Sequence, residues 1–390
     1  MSCRCCCQKK CQYDRLTSVM TGQYSDDWFY IMKECRQHNS GIGGQAVLEG
    51  VMMRNKEKYA IAVRKSDGSI IVKEETYKGI LAGSPLKKIP FVRGIFVFID
   101  SMILGLRCTD YSATIYAEDD PDAEPDDKTI DSITEAAQNA AAADKADRSG
   151  SEKEKKSREK PAEEQEEKES LGDRIMMTLV MIVSLIIALG LFMALPVFLA
   201  SHVVRFLGNP ALLSLFEGVI RIAIFVLYIL LISQMKDIRR LFQYHGAEHK
   251  CINCLESGHE LTVENASKAT RLHKRCGSSF ILFVMLVSIV LFFFIRVRNP
   301  LARVGIRILL LPVISGISYE LIRFAGSSDN PVIALLSKPG LWLQGLTTRE
   351  PDPEMIEAAI ASVEAVFDWR AYLTSDFGMS FDTAAETGDR

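Results

Sequence analysis

Apolar and polar positions segregate strongly along this 390-residue chain. Four long apolar runs lie between residues 175 and 322, at 175–199, 219–235, 278–295 and 306–322. Each is long enough, with some tilt, to cross roughly 30 Å of hydrocarbon. The second run begins near Arg221, whose long side chain can snorkel to an interface. The fourth is interrupted by Pro312 and Gly316 and carries Glu320, which is either a functional group inside a span or the partner of Arg323 at its edge.

Ahead of these runs the pattern changes. Residues 41–80 read as a small β unit: 45–53 is largely apolar, and 59–63 and 69–72 flank Ser66-Asp67-Gly68, a hairpin turn sequence. Gly41, Gly43, Gly44 and Gly50 suggest tight turns or close backbone approach. Glu49, between apolar neighbours, is a site carboxylate or a solvated strand residue. Residues 90–106 are apolar but carry Arg93 and Asp100, which fits an interfacial or core helix better than a full span. Residues 118–170 are acidic, then Ala-rich, then Lys/Glu-rich, with too little apolar surface to offset the entropy of folding. Residues 337–346, with Trp342, suit a membrane interface. A helix is expected over 353–367, with Asp352 as N-cap and Pro353 in its first position, followed by a disordered tail.

The fold class that follows is an α-helical membrane protein with about four transmembrane helices and a small N-terminal α+β cytoplasmic unit. The divisions are a Cys-rich disordered extension (1–40), a hairpin-containing unit with an amphipathic helix (41–117), an acidic linker (118–172), a membrane domain (173–346), and a C-terminal helix and tail (347–390). The loop at 236–277 carries eight Lys and Arg residues, against Arg205 alone in the loop before it. That bias places both termini and this loop in the cytoplasm of a multi-pass cell-membrane protein.

Composition narrows the function classes. A formal charge of −3 argues against a nucleic-acid binder. Cys3, Cys5, Cys6, Cys7 and Cys11 crowd together among basic residues with no signal peptide before them, so a secreted disulfide framework is not expected.

The candidate chemistry lies in residues 243–280, which hold four of the six histidines and three of the ten cysteines. His245-Gly-Ala-Glu248-His249 has the H-x-x-E-H spacing. On a helix, residues four apart share a face, so both imidazoles can reach one ion, and Glu248 adjoins that face as a candidate general base. A third ligand must come from elsewhere, and His273, Cys276 and Glu264 are the candidates. If the second and third apolar runs are antiparallel neighbours, His273 returns to the surface that holds His249. A rival reading uses Cys251, Cys254, His273 and Cys276 as a closed zinc brace, with spacings in the range of structural zinc ribbons. Cys251 and Cys254 would then compete with the helix that the H-x-x-E-H site needs.

Five stretches carry a family resemblance: Gly-Gly-Gln-Ala-Val-Leu-Glu-Gly-Val-Met-Met-Arg (43–54), Tyr-His-Gly-Ala-Glu-His-Lys (244–250), His-Lys-Arg-Cys-Gly-Ser-Ser-Phe (273–280), Ile-Ser-Tyr-Glu-Leu-Ile-Arg (317–323) and Leu-Trp-Leu-Gln-Gly-Leu-Thr-Thr-Arg-Glu-Pro (341–351). Together they resemble the YqhQ-like family of bacterial multi-pass membrane proteins, over about residues 43–367. The resemblance implies a predicted metal-dependent enzyme and names no substrate. Cys251 and the acidic insertion depart from the family pattern, which counts against the cysteine brace.

The expected function is a membrane-embedded, metal-dependent and hydrolytic enzyme. Zn²⁺ or another divalent ion would sit at the cytoplasmic interface, and the substrate would be a lipid, a lipid-linked molecule or a membrane-protein segment. The alternative is a non-enzymatic scaffold or assembly factor with a structural zinc.

Overall fold

The structure, a computed structural model, describes residues 38–80, 82–119, 171–204, 210–295, 300–327 and 331–381. The N-terminal cysteine cluster and residues 120–170 of the expected linker lie outside them.

Four strands form an antiparallel sheet in sequence order: β1 (Ile42–Val47), β2 (Gly50–Asn55), β3 (Lys58–Arg64) and β4 (Ile70–Thr76). The Ser66-Asp67-Gly68 turn joins β3 to β4, with Gly68 at φ 85°, a conformation that glycine adopts without steric cost. β1 and β2 are joined by a two-residue turn, Leu48-Glu49, in which Val47 pairs with Gly50. Glu49 is left-handed there, at φ 48°.

Period-two alternation gives the sheet two apolar faces. Ile42, Val51, Met53 and Ala60 pack on α5 (Lys236–Glu256) and α10 (Pro353–Val366). Val47, Met52, Tyr59, Ile61 and Val63 pack on Leu104, Cys108 and Ile115 of α1 (Val92–Asp119). The sheet is therefore a middle layer between helices. The helix expected over 90–106 is α1, a core helix longer than its apolar run. Asp100 is buried because it accepts hydrogen bonds from Tyr77 Oη (3.0 Å) and the Ile80 amide (2.9 Å). Arg93 donates to both carboxylate oxygens of Glu320, at 2.7 and 2.6 Å. Glu320 thus takes its hydrogen bonds from the start of α1 rather than from Arg323, because the chain brings α1 alongside a position that sequence distance hid.

The remaining helices are α2 (Leu171–Leu189), which passes through a wide turn at Gly190–Ala194 into α3 (Leu195–Val204), α4 (Pro210–Ile232), α6 (Val263–Lys268), α7 (Gly277–Phe294), α8 (Pro300–Ser327), α9 (Pro331–Thr347) and α11 (Trp369–Tyr372). Four stretches within them are long and apolar enough to cross a membrane: Ile182–Ala200, Leu215–Ile232, Gly277–Phe294 and Gly305–Ala325. These match the four runs read from the sequence. The last has the lowest mean hydropathy, 1.6, as Glu320 and the Pro312 interruption lead one to expect. The segment expected at an interface, 337–346, is the second half of α9, with Trp342 exposed but Leu343 and Gln344 fully buried. The tail after Phe367 is packed at first: Trp369, Tyr372 and Leu373 join the core that α5 and α10 share with the sheet.

The described residues fall into two compact units, one drawn from Met1–Pro121, Ile229–Val287 and Pro312–Arg390, the other from Asp122–Tyr228 and Ser288–Leu311. In the second unit Glu217 is buried between two arginines: Arg221 donates to it at 2.9 Å, and Arg307 pairs with it while lying 4.8 Å over the Phe292 ring. All the chemistry of residues 243–280 falls in the first unit.

Candidate metal centre

α5 carries the H-x-x-E-H stretch through its middle, and it is helical there for the reason the spacing suggested. Tyr244, Ala247, Cys251, Ile252 and Leu255 form an apolar stripe that the helix buries against the sheet and α10. His245 and His249 emerge on the adjoining face, their ring centroids 4.4 Å apart.

The other half of the site comes from the turn before α7. Among the described residues, one group offers at least three ligand atoms close enough for a single ion: His245, His249 and Cys276, all within 4.8 Å of one another. His245 Nε2 lies 3.2 Å from Cys276 Sγ. Around Zn²⁺, bond lengths of about 2.3 Å to sulfur and about 2.05 Å to nitrogen put S and N roughly 3.5 Å apart at the tetrahedral angle. The donor set has the right size and the right chemistry.

The outer contacts fit as well. His245 Nδ1 donates to the Thr347 carbonyl at 2.9 Å, and His249 Nδ1 to the Arg271 carbonyl at 2.6 Å. Each ring therefore turns Nε2 inward, as a histidine ligand held by a backbone acceptor does. Burial resists charge on both rings, but Cys276, followed by Glu248, outweighs it and pushes His245 up to about 9 and His249 in the same direction. Burial likewise raises Cys276, yet His249 and His245 draw it well below the usual thiol range. The group stabilises a thiolate, the form that binds metal. The first turn of α7 adds to this: the Ser278 amide points at Cys276 Sγ from 3.4 Å.

Glu248 is buried, with a carboxylate oxygen 3.9 Å from His245 Nε2. It is beside the donor set and is not one of its three members. On its other side lies β1. A Cβ on Gly44 would stand 2.8 Å from Glu248 Cγ, so only glycine lets the strand pass this close.

The other sequence candidates lie elsewhere. His273 is buried next to the group, 5.7 Å from His249 between ring centroids, but its Nε2 faces Glu256 at 3.5 Å. Glu264 is exposed on α6 and pairs with Lys268. Cys251 is fully buried against α10, near the Ile356 carbonyl, and Cys254 points at the Glu260 carbonyl from 3.4 Å. Burial raises both thiols, Cys254 to about 12, the opposite of what a zinc brace needs. Glu49 holds α5 one turn upstream, taking both hydrogen bonds of a fork from Arg240 and one from Tyr244 Oη at 3.3 Å.

Several positioning residues were not visible as such in the sequence. Gln344, fully buried, accepts from the His273 amide at 2.8 Å and donates to the His273 carbonyl and Ser279 Oγ, each at 2.7 Å. It pins the turn that carries Cys276. Asn253 donates to the Thr270 and Leu272 carbonyls at 2.7 and 3.0 Å, and Arg271 to the Thr348 carbonyl at 2.9 Å. Gly246 leaves room for the Arg349 carbonyl to lie directly on α5. The sequence signal is partial: Gln344 and Gly246 sit inside the stretches that carry the family resemblance, and Asn253 and Arg271 do not.

These features define a class: a mostly helical protein with four apolar helices of spanning length, a small antiparallel sheet, and a His/His/Cys donor set with a carboxylate beside it. Comparison with known proteins gives the family and no activity. A family model described as "Protein of unknown function (DUF1385)" matches residues 89–369, and the chain belongs to that family. It is 37% identical over 324 residues to the "Uncharacterized protein YqhQ" of Bacillus subtilis (strain 168), covering 82% of this chain and 90% of that protein. No solved structure matches.

Proposed function

We propose that this protein is a membrane-embedded, metal-dependent hydrolase with its centre at the cytoplasmic interface. The observation that carries the reading is the convergence of His245, His249 and Cys276, with both outer imidazole nitrogens fixed by backbone carbonyls and Glu248 beside the set. Three donors leave a fourth tetrahedral position open, the mark of a catalytic rather than a structural zinc site. A Zn²⁺ or similar divalent ion held there would supply a Lewis acid and make water acidic enough to attack near neutral pH.

The chain's own residues do the rest. Glu248 accepts a proton from the attacking water and returns it to the leaving group. Thr347 and Arg271, through their carbonyls, hold the two rings in the tautomer that presents Nε2. Gln344 keeps Cys276 in register with them. The substrate is a molecule that reaches the bilayer surface: a lipid, a lipid-linked molecule or a membrane-protein segment.

The alternative, a scaffold with a zinc brace of Cys251, Cys254, His273 and Cys276, has less support. Cys251 and Cys254 pack into the apolar core instead of turning toward Cys276.

One pair of variants separates these readings. Glu248→Gln should retain metal at one ion per chain and lose the ability to complement a deletion strain. His249→Ala should lose both. Metal content is measured on the purified protein. Full complementation by Glu248→Gln would overturn the hydrolase mechanism even with zinc bound.

A further inference from the structure

The sheet has two edges, and they are unlike. β4 presents Lys73, Glu74 and Glu75, the charged residues with which proteins blunt an open edge. β1 reads Ile-Gly-Gly-Gln-Ala-Val and has no charge and no proline.

Register identifies which backbone groups of β1 are left over. Among the described residues β1 pairs only with β2, and the two-residue turn makes Val47 and Gly50 a hydrogen-bonded pair. Alternation then assigns Gln45–Met52 and Gly43–Arg54 to the ladder as well. The N–H and C=O groups of Gly44 and Ala46 point the other way, off the edge. Neither amide donates to any described residue. Both residues are partly exposed.

This open stretch lies beside the centre. Gly44 is the residue whose missing Cβ lets β1 approach Glu248, and Glu248 in turn lies 3.9 Å from His245 Nε2. An extended backbone laid along β1 would lie beside the strand that borders this carboxylate.

We infer that the substrate is a polypeptide, bound as an added antiparallel or parallel strand on the edge of β1 through the backbone of Gly44 and Ala46. Main-chain hydrogen bonds supply the affinity in such strand addition, and pockets for alternate side chains the selectivity. The inference rests on the metal-hydrolase reading and specifies its substrate. The amide C–N bond breaks, and a C–O bond forms from water. The OH of that water goes to the carbonyl carbon, and its remaining proton passes through Glu248 to the leaving nitrogen.

The test uses the full chain, purified in detergent, loaded with Zn²⁺ and given a library of peptides made by digesting a bacterial proteome. Mass spectrometry reads the cleavage sites. The wild type should cut a subset of peptides. Ala46→Pro removes an amide that the β1–β2 ladder does not use, a position where an edge strand tolerates proline. It should keep one zinc per chain and lower the cleavage rate at least about tenfold, as loss of a hydrogen-bonding position along a docked strand requires. Independently of any variant, N-methylation of single amides in the best peptide should abolish cleavage at alternate positions only. A zinc-loaded wild type that cuts no peptide, or an Ala46→Pro variant that cuts like wild type, overturns strand docking. Failure of the metal reading is distinct: it shows as absence of bound zinc or as full complementation by Glu248→Gln.

Discussion

At the scale of single residues, Glu256 shows how a buried carboxylate can organise what surrounds it. It takes hydrogen bonds from the Ser40 amide (3.0 Å) and Ser40 Oγ (2.8 Å), pairs with Arg275, and faces His273 at 3.5 Å. Burial alone would raise its pKa, but His273 and Arg275, with the Ser40 amide, bring it from an ordinary 4.5 down to about 2. The folded state therefore binds fewer protons at Glu256 than the unfolded state does. The stabilisation is complete above about pH 4.5 and is lost as the pH falls toward 2. A shift of this size corresponds to about 3 kcal/mol. Thermal unfolding followed from pH 6 to pH 2.5 should show a steep acid limb in the wild type and a flatter one in Glu256→Gln. Equal slopes would show that Glu256 titrates alike in both states. The sequence made Glu256 unremarkable, since nothing local announces that Ser40 and Arg275 meet there. His245, Glu248 and His249 were legible because one helical turn relates them. The choice of Cys276 over His273 and Glu264 was not, because it depends on Gln344 pinning the turn from 71 residues away in the chain.

At the scale of elements, α5 accepts a glycine in its interior because a neighbouring segment needs the space. Gly246 costs about 1 kcal/mol of helix propensity relative to alanine. A Cβ there would collide with the Arg349 carbonyl oxygen, which is backbone and cannot turn aside. The Arg349 amide already bonds the Phe242 carbonyl at 2.8 Å, so the segment is tied to α5. Moving it would shift Thr347, the acceptor for His245 Nδ1. Gly246→Ala should therefore weaken zinc binding about 10- to 100-fold, the usual effect of disturbing a ligand's outer partner, despite its better propensity. Gly345→Ala, where a Cβ meets nothing, should leave zinc binding unchanged. Competition with a chelating dye measures both, and unchanged affinity in Gly246→Ala would separate the 347–350 segment from the centre. Among the elements, the β3–β4 hairpin and the four apolar helices were readable from turn chemistry and hydropathy. The pairing of α1 with one sheet face, and of α5 and α10 with the other, was not. Alternation shows that a strand has two apolar faces without saying which helix covers either.

At the scale of the whole molecule, loop charge is the argument for the proposed orientation. The eight Lys and Arg residues at 236–277 favour the cytoplasmic side for the segment that holds most of the centre. Cys251 and Cys254 are too buried to report on it. Glu260 and Arg370 are exposed, and a cysteine at either should react with an impermeant thiol reagent only after the cell is permeabilised. Labelling of intact cells at both positions would invert the topology.

Gln344 and Thr347 carry a further consequence, for the order of synthesis. Two members of the donor set and the neighbouring carboxylate emerge from the ribosome early, on α5, and Cys276 some thirty residues later. The clamp on the Cys276 turn and the acceptor that fixes the His245 ring come only with α9, after two more apolar helices have been made. A nascent chain that stalls before α9 holds all three donors but lacks the contacts that aim His245 and pin the Cys276 turn. The arrangement of the donor set is thus a late product of biogenesis, and a chain interrupted on the way carries the three side chains without the contacts that α9 brings.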